Sequence, residues 1–178
     1  MFYNFFKGYV IIKFIVSVMI LLFTTLQAYQ PEDKLKVVLV GKVGKYVTWN
    51  NQDNKNFIIT ILNNRNGDLF DKIYKNKKIN KRFIELKYIE NIGELSTTNI
   101  LFISLDNSKN LQEILKKTAN KNILTVSVIR GFAQKGGMLQ IYFLSQKPKI
   151  RINLDVSKKE NLKIKSSLLR ISDIVKDN

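Results

Sequence analysis

The side chains and spacing best suited to chemistry lie in one stretch, Ile129-Arg130-Gly131-Phe132-Ala133-Gln134-Lys135-Gly136-Gly137. It follows residues 123–128, Ile-Leu-Thr-Val-Ser-Val, which read as a buried strand. In an open α/β sheet, ligands bind in the crevice beyond the carboxyl ends of strands. Arg130 and Lys135 carry positive charge there, and glycine-rich backbone can turn its amides toward an anion. Phe132 adds an apolar contact. The same composition also serves a simple turn, in which glycine supplies positive φ and Phe132 plugs the core. Both readings stay open, and the candidate partner- or ligand-binding residues are Arg130, Gly131, Phe132, Lys135, Gly136 and Gly137.

Much other chemistry is excluded by residue type. The chain of 178 residues contains neither histidine nor cysteine. Disulfides, thiolates, Ser-His-Asp and Cys-His relays and zinc sites built on Cys or His are therefore impossible. Carboxylates act in catalysis as converging pairs, and the candidates are Asp68 with Asp71, Glu90 with Glu94, and Asp173 with Asp177. All three occur at helical or loop spacing among lysines, the pattern of a solvated face. Gly41-Lys42-Val43-Gly44-Lys45 is not a phosphate loop, because two residues separate its glycines and Tyr46 stands where a hydroxyl residue belongs. Close helix packing is the reading for Gly41 and Gly44. Ser166 and Ser167 have no base to activate them and read as close-packing positions. No catalytic residue, metal ligand or cofactor is expected.

Residues 1–28 read as an export signal: Lys7 and Lys13 precede an apolar segment at 14–23, and Leu26-Gln27-Ala28 is an imperfect small-residue cleavage site. The alternative is a retained anchor, although residues 14–26 fall short of the ~20 needed to span a bilayer. Residues 29–178 remain for one domain, expected in the periplasm. The net charge of +16 loses only the two lysines of the signal. The remaining lysines are scattered through 72–81, 116–121 and 158–165 without interleaved aromatics, so no nucleic-acid partner is expected. Attraction to an acidic partner or anionic headgroups remains.

These groups need a scaffold. Apolar residues at Leu35, Leu39, Val43, Tyr46 and Val47 predict a first helix over residues 32–47, closed by Trp49. An Asn-rich loop at 50–56 follows. Strands are predicted at 57–62, 83–89, 99–105 and 123–128, with a short helix at 68–74, a helical turn at 92–95, and a helix after Ser108 as cap. Strands alternating with helices imply parallel pairing with right-handed crossovers. Residues 139–144 and 150–154, joined by residues 145–149, predict a hairpin, and a helix over 158–175 closes the chain. The expected architecture is a layered α/β/α sandwich with a mostly parallel central sheet and an antiparallel C-terminal hairpin.

In order along the chain, Tyr46-Val47-Thr48-Trp49, Asn99-Ile100-Leu101-Phe102-Ile103-Ser104, Ile123-Leu124-Thr125-Val126-Ser127, Gly131-Phe132-Ala133, Gly136-Gly137-Met138, Arg151-Ile152-Asn153-Leu154, Leu162-Lys163-Ile164 and Ser166-Ser167-Leu168-Leu169 together resemble the YfiR family. Val128 replaces the family's usual aspartate, and Asn50 the proline after Trp49. The resemblance implies a periplasmic regulator that represses an inner-membrane diguanylate cyclase, forms a homodimer and is sequestered by an outer-membrane OmpA-like lipoprotein. It also implies that the last helix lies near surfaces used for association. The lack of cysteine removes the disulfides that some relatives carry. The alternative is a periplasmic small-molecule-binding sensor feeding a histidine kinase.

Overall fold

The computed structural model describes residues 31–49 and 55–176. The export segment, most of the Asn-rich loop and Asp177 lie outside the described residues. Helix α1 (Pro31–Gly44) opens with proline in its first turn, where a missing N–H costs nothing. There follow β1 (Val47–Trp49), β2 (Phe57–Leu62), α2 (Leu69–Tyr74), β3 (Lys78–Ile79) and β4 (Arg82–Ile89). The rest are β5 (Ile100–Ile103), α3 (Leu111–Thr118), β6 (Leu124–Ser127), β7 (Leu139–Leu144), β8 (Lys147–Asn153), α4 (Leu154–Lys159), β9 (Leu162–Ile164), α5 (Ser166–Leu169) and β10 (Asp173–Val175).

The main sheet has the order β10-β8-β7-β6-β5-β2-β4-β3. Pairing from β4 through β2, β5 and β6 to β7 is parallel, and β7–β8 forms the antiparallel hairpin. All six residues of β2 are buried, as a strand covered on both faces requires. Alternation then divides the core. Phe57, Ile59, Ile61, Ile100, Phe102, Leu124 and Val126 pack with Val37, Val40 and Phe70 of α1 and α2. Leu62, Leu101 and Ile103 face the other way, against Leu111 and Ile114 of α3 and against Phe132. The layered α/β/α architecture with its antiparallel hairpin is the one expected.

Several boundaries differ from expectation. The first helix stops at Gly44, and Val47–Trp49 forms a strand paired antiparallel with β9, so Trp49 ends a strand rather than a helix. Its indole packs edge-on against Phe57, with ring centroids 5.2 Å apart. The helix predicted over 158–175 is replaced by α4, β9, α5 and β10. Asn161 at φ 52° stops α4, and the alternation of buried Leu162, exposed Lys163 and half-buried Ile164 has strand period. Ile174 then pairs with Ile152 at the sheet edge. Ser166 and Ser167 are exposed rather than packed. Ser108 ends a 3₁₀ turn and caps nothing, since α3 starts at Leu111. The hairpin loop is two residues, not five: Leu144 pairs with Lys147, and Ser145 and Gln146 both take positive φ, as a tight primed turn demands.

Candidate functional site

Strand β6 delivers the glycine-rich loop, and the two strand residues with hydroxyls anchor it. Ser127 donates to the Ile103 carbonyl at 2.7 Å and accepts the Ile129 N–H at 3.1 Å. Thr125 Oγ1 accepts the Met138 N–H at 3.0 Å where the loop returns. The loop crosses over to β7 through a 3₁₀ turn at Ala133–Lys135. Asn153 donates to the Ala133 carbonyl at 3.0 Å while its Oδ1 caps α4 by accepting the N–H groups of Asp155 and Val156. Gln112 of α3 donates to the Lys135 carbonyl at 3.1 Å. A loop tied to α3, β6 and the β8–α4 junction presents its side chains from a fixed frame.

Within that frame the six candidate residues divide. Phe132 is fully buried and forms the plug of the second core cluster. Gly131 and Gly136 hold φ of 73° and 93°, the region that penalises a side chain. Gly137 is required by close approach, because a Cβ there would collide with the Phe132 ring. Arg130 and Lys135 are exposed, and the Lys135 chain lies back over Gly131, with its Cε 3.6 Å from where a Cβ would stand. The amides of Ile129, Phe132, Lys135, Gly137 and Met138 are spent on internal bonds, which limits the anion cradle that glycine spacing suggested. The loop is thus a structured turn with two cations on its surface.

Gly136 also borders a cleft of about 300 Å³ between α3 and α4, whose wall includes Leu115, Ile123, Val156 and Glu160. Glu160 is buried and accepts three successive backbone N–H groups, from Asn120, Lys121 and Asn122, at 2.7, 3.0 and 3.0 Å. That ties the α3–β6 turn to the end of α4. A helix over 158–175 offers no such role, so sequence reasoning missed it.

A second feature missed at the sequence level follows from strand order. The chain passes from β2 to β4 on one side and then to β5 on the other, making a topological switch point between β2 and β5. Beyond the strand ends there lies a polar cleft of about 420 Å³ lined by Asn63, Glu90, Asp106, Asn107 and Glu113. Asn63, at φ 53°, donates to the Glu90 carbonyl at 2.8 Å, Arg65 pairs with Asp106, and Lys117 with Glu113. The run Asn63-Asn64-Arg65-Asn66-Gly67 was its only sequence signal, and it reads as an ordinary turn.

Of the carboxylate pairs considered above, Asp68 with Asp71 and Glu90 with Glu94 lie within the described residues, and each member is engaged by a local partner. Asp68 bridges Lys72 at 2.8 Å, while Asp71 accepts the Tyr88 hydroxyl at 2.6 Å. Glu94 closes a capping box with Asn91. The Tyr142 hydroxyl donates to Asp173, which with Arg151 nearby holds that carboxyl below the usual range. Among the described residues, no group of three or more His, Cys, Asp or Glu residues could hold a metal ion, and no helix is long and apolar enough to cross a membrane.

The fold is a three-layer, mostly parallel α/β domain with two exposed cations on an anchored loop. The chain is a member of the YfiR/HmsC-like family, which matches residues 33–173. That family is one of periplasmic regulators. No curated protein matches the chain. Among solved structures it is similar to the ABC domain in complex with L-Trp from Streptococcus pneumonia, with a TM-score of 0.54 and 11% identity. The alignment covers 79% of this chain and 60% of that one, and at this identity the likeness is one of fold.

Proposed function

We propose that this chain is a non-catalytic periplasmic regulator that binds and represses an inner-membrane signalling receptor, a diguanylate cyclase, and so lowers cyclic di-GMP. Family membership over residues 33–173 carries the reading. The complete lack of histidine and cysteine supports binding over turnover. Repression then works as a population shift: the chain binds the inactive receptor state more tightly, and that difference alone sets the output. Arg130 and Lys135 are the proposed contacts to the receptor, with Gly131, Gly136 and Gly137 shaping the loop and Phe132 fixing it to the core. Homodimerisation and sequestration by an OmpA-like outer-membrane lipoprotein complete the proposal.

Deleting the gene raises cyclic di-GMP, and expression of the wild-type chain restores the lower level. Arg130→Ala/Lys135→Ala remains folded, because exposed substitutions cost within about 0.5 kcal/mol, yet restores repression poorly. Unchanged nucleotide in the deletion strain refutes the cyclase assignment; full repression by the folded double variant refutes the loop assignment alone. The cleft beside Gly136 favours one second reading, a small-molecule-binding sensor that feeds a histidine kinase. Under that reading a neighbouring kinase loses its response while cyclic di-GMP stays constant.

A further inference from the structure

On the opposite face of the sheet from Phe132, α1 and α2 meet β3 and β4 around a groove of about 400 Å³. Its floor is apolar, formed by Val38, Ile73, Ile79 and Ile84. Its rim carries Lys42, Lys45, Lys77 and Lys78, all exposed, and no carboxylate lines it. Among the described residues none of these four lysines forms a salt bridge. Through Tyr74 and Ile84 the groove continues into a second depression bordered by Leu86, Lys72 and Lys75, where the two carboxylates are already engaged, Asp68 with Lys72 and Asp71 with the Tyr88 hydroxyl. Both run along β4.

Among the described residues, strand β4 is paired on its outer side only at its start. β3 pairs with it at Arg82 and Phe83, and the Ile84 N–H then donates outward to the Lys77 carbonyl at 3.0 Å. The two-residue period of a strand aims the N–H groups of Leu86 and Tyr88 the same way, where the described residues supply no further strand. Glu85 and Lys87 project to the other face from Ile84 and Leu86, so neither closes the groove. The edge therefore combines outward backbone donors, an apolar floor and a lysine rim.

We propose that this edge is a docking site for an extended acidic segment of a partner protein, added to β4 as a further strand. Carbonyls of the segment accept from Leu86 and Tyr88, its apolar side chains cover Ile84 and Leu86, and its carboxylates meet the lysines. Strand addition supplies affinity through the backbone and specificity through alternate side chains. A second copy of this chain fits poorly, since it brings the same lysines against the rim. An anionic lipid satisfies the lysines but offers no series of carbonyls at strand spacing. The site is on a different face from the Arg130–Lys135 loop and stands whether or not that loop contacts a receptor.

The test uses the chain with a fluorescein-labelled ten-residue peptide alternating glutamate and valine, and separately phosphatidylglycerol vesicles. The peptide is expected to bind, and to slow amide exchange at Leu86 and Tyr88. Lys77→Glu/Lys78→Glu should weaken it about tenfold or more, with steep salt dependence. Leu86→Pro should weaken it comparably while leaving the circular dichroism unchanged, because proline is tolerated on an edge where the lost N–H faced solvent. Arg130→Ala/Lys135→Ala should bind it normally. Failure of the peptide to bind, equal binding by Leu86→Pro, or protection elsewhere than β4 overturns the proposal. Vesicle binding that lysine reversal abolishes and Leu86→Pro leaves intact, without peptide binding, assigns the surface to lipid instead.

Discussion

Tyr74 threads its hydroxyl into the backbone of α1, and removing that oxygen alone tests how the groove is held open. The hydroxyl donates to the Val37 carbonyl and accepts the Gly41 N–H at 2.6 Å, standing between two groups that an α-helix would join directly. Tyr74→Phe deletes two buried hydrogen bonds, each worth about 0.5–1.5 kcal/mol net. If α1 tightens, Val37 and Gly41 recover one bond, and the loss is about 1 kcal/mol. If the phenyl ring holds the turn apart, two buried polar groups stay unpaired and the loss exceeds about 2 kcal/mol. Urea unfolding at constant m-value gives the magnitude, and amide exchange at Gly41 separates the two cases. Gly41→Ala supplies the cross-check, because its Cβ would stand 2.5 Å from Tyr74 Cε1 and 2.7 Å from Cζ. Overpacking of that kind costs about 1–3 kcal/mol, and it persists in Tyr74→Phe, which keeps both carbons. In Tyr74→Leu the obstruction is gone, and Gly41→Ala should instead stabilise by up to about 1 kcal/mol through helix propensity. A Tyr74→Phe change below about 0.5 kcal/mol with unaltered Gly41 exchange refutes the inserted hydroxyl. So does a Gly41→Ala effect of the same sign and size in all three backgrounds.

Other perturbations give separate readouts. Gly137→Ala forces Phe132 from its fully buried place and should cost about 1–3 kcal/mol in urea midpoint; Gly136→Val, at φ 93°, should cost about 1–3 kcal/mol through strain, although only a leucine methyl lies nearby. Glu160→Gln replaces an oxygen that accepts backbone N–H groups with a donor facing them, and should lose about 1–3 kcal/mol, with faster amide exchange at Asn120 to Asn122. Burial raises Tyr74, and burial with the Asp71 hydrogen bond raises Tyr88. Above the ordinary tyrosine pKa of about 10 the unfolded chain sheds protons that the folded chain keeps, so stability present at neutral pH falls as pH rises past that point. Urea midpoints between pH 9 and 11 should show the fall, and Tyr88→Phe should flatten it.

How much of this was legible depends on which interactions set each element. β2, β5 and β6 announce themselves because a strand buried on both faces needs a short run rich in β-branched and apolar residues, and Phe57-Ile58-Ile59-Thr60-Ile61-Leu62 is one. The turn residues Gly131 and Gly136 were readable for the same local reason, since each needs positive φ. The end of the chain was not. Ile164, Leu168, Ile171 and Val175 sit at spacings compatible with a helix, and only the distant partners Val47 to Trp49 and Arg151 to Asn153 make β9 and β10 strands. The roles of Tyr74 and Glu160 were hidden likewise. Their partners lie 33 and 40 residues away at Gly41 and Asn120, contacts that no local pattern encodes.

The lysines show why composition misleads about surface chemistry and placement does not. Along the chain they are dispersed, and dispersal argues against a binding surface. Folding gathers Lys42 of α1 and Lys45 just past its end with Lys77 and Lys78 at the start of β3, on a rim where no carboxylate stands. Elsewhere the same residue type is neutralised locally, as in Lys72 with Asp68, Lys117 with Glu113 and Lys158 with Asp155, each within one helical turn. Such exposed pairs contribute little to stability, but they remove charge from their faces. The α1–β3 rim and the Arg130–Lys135 loop are two of the places where exposed basic groups form no salt bridge among the described residues. These two places lie on opposite faces of one sheet, so a single partner engaging both would have to wrap the sheet edge. Two partners, or one partner in two states, satisfy the geometry without that constraint.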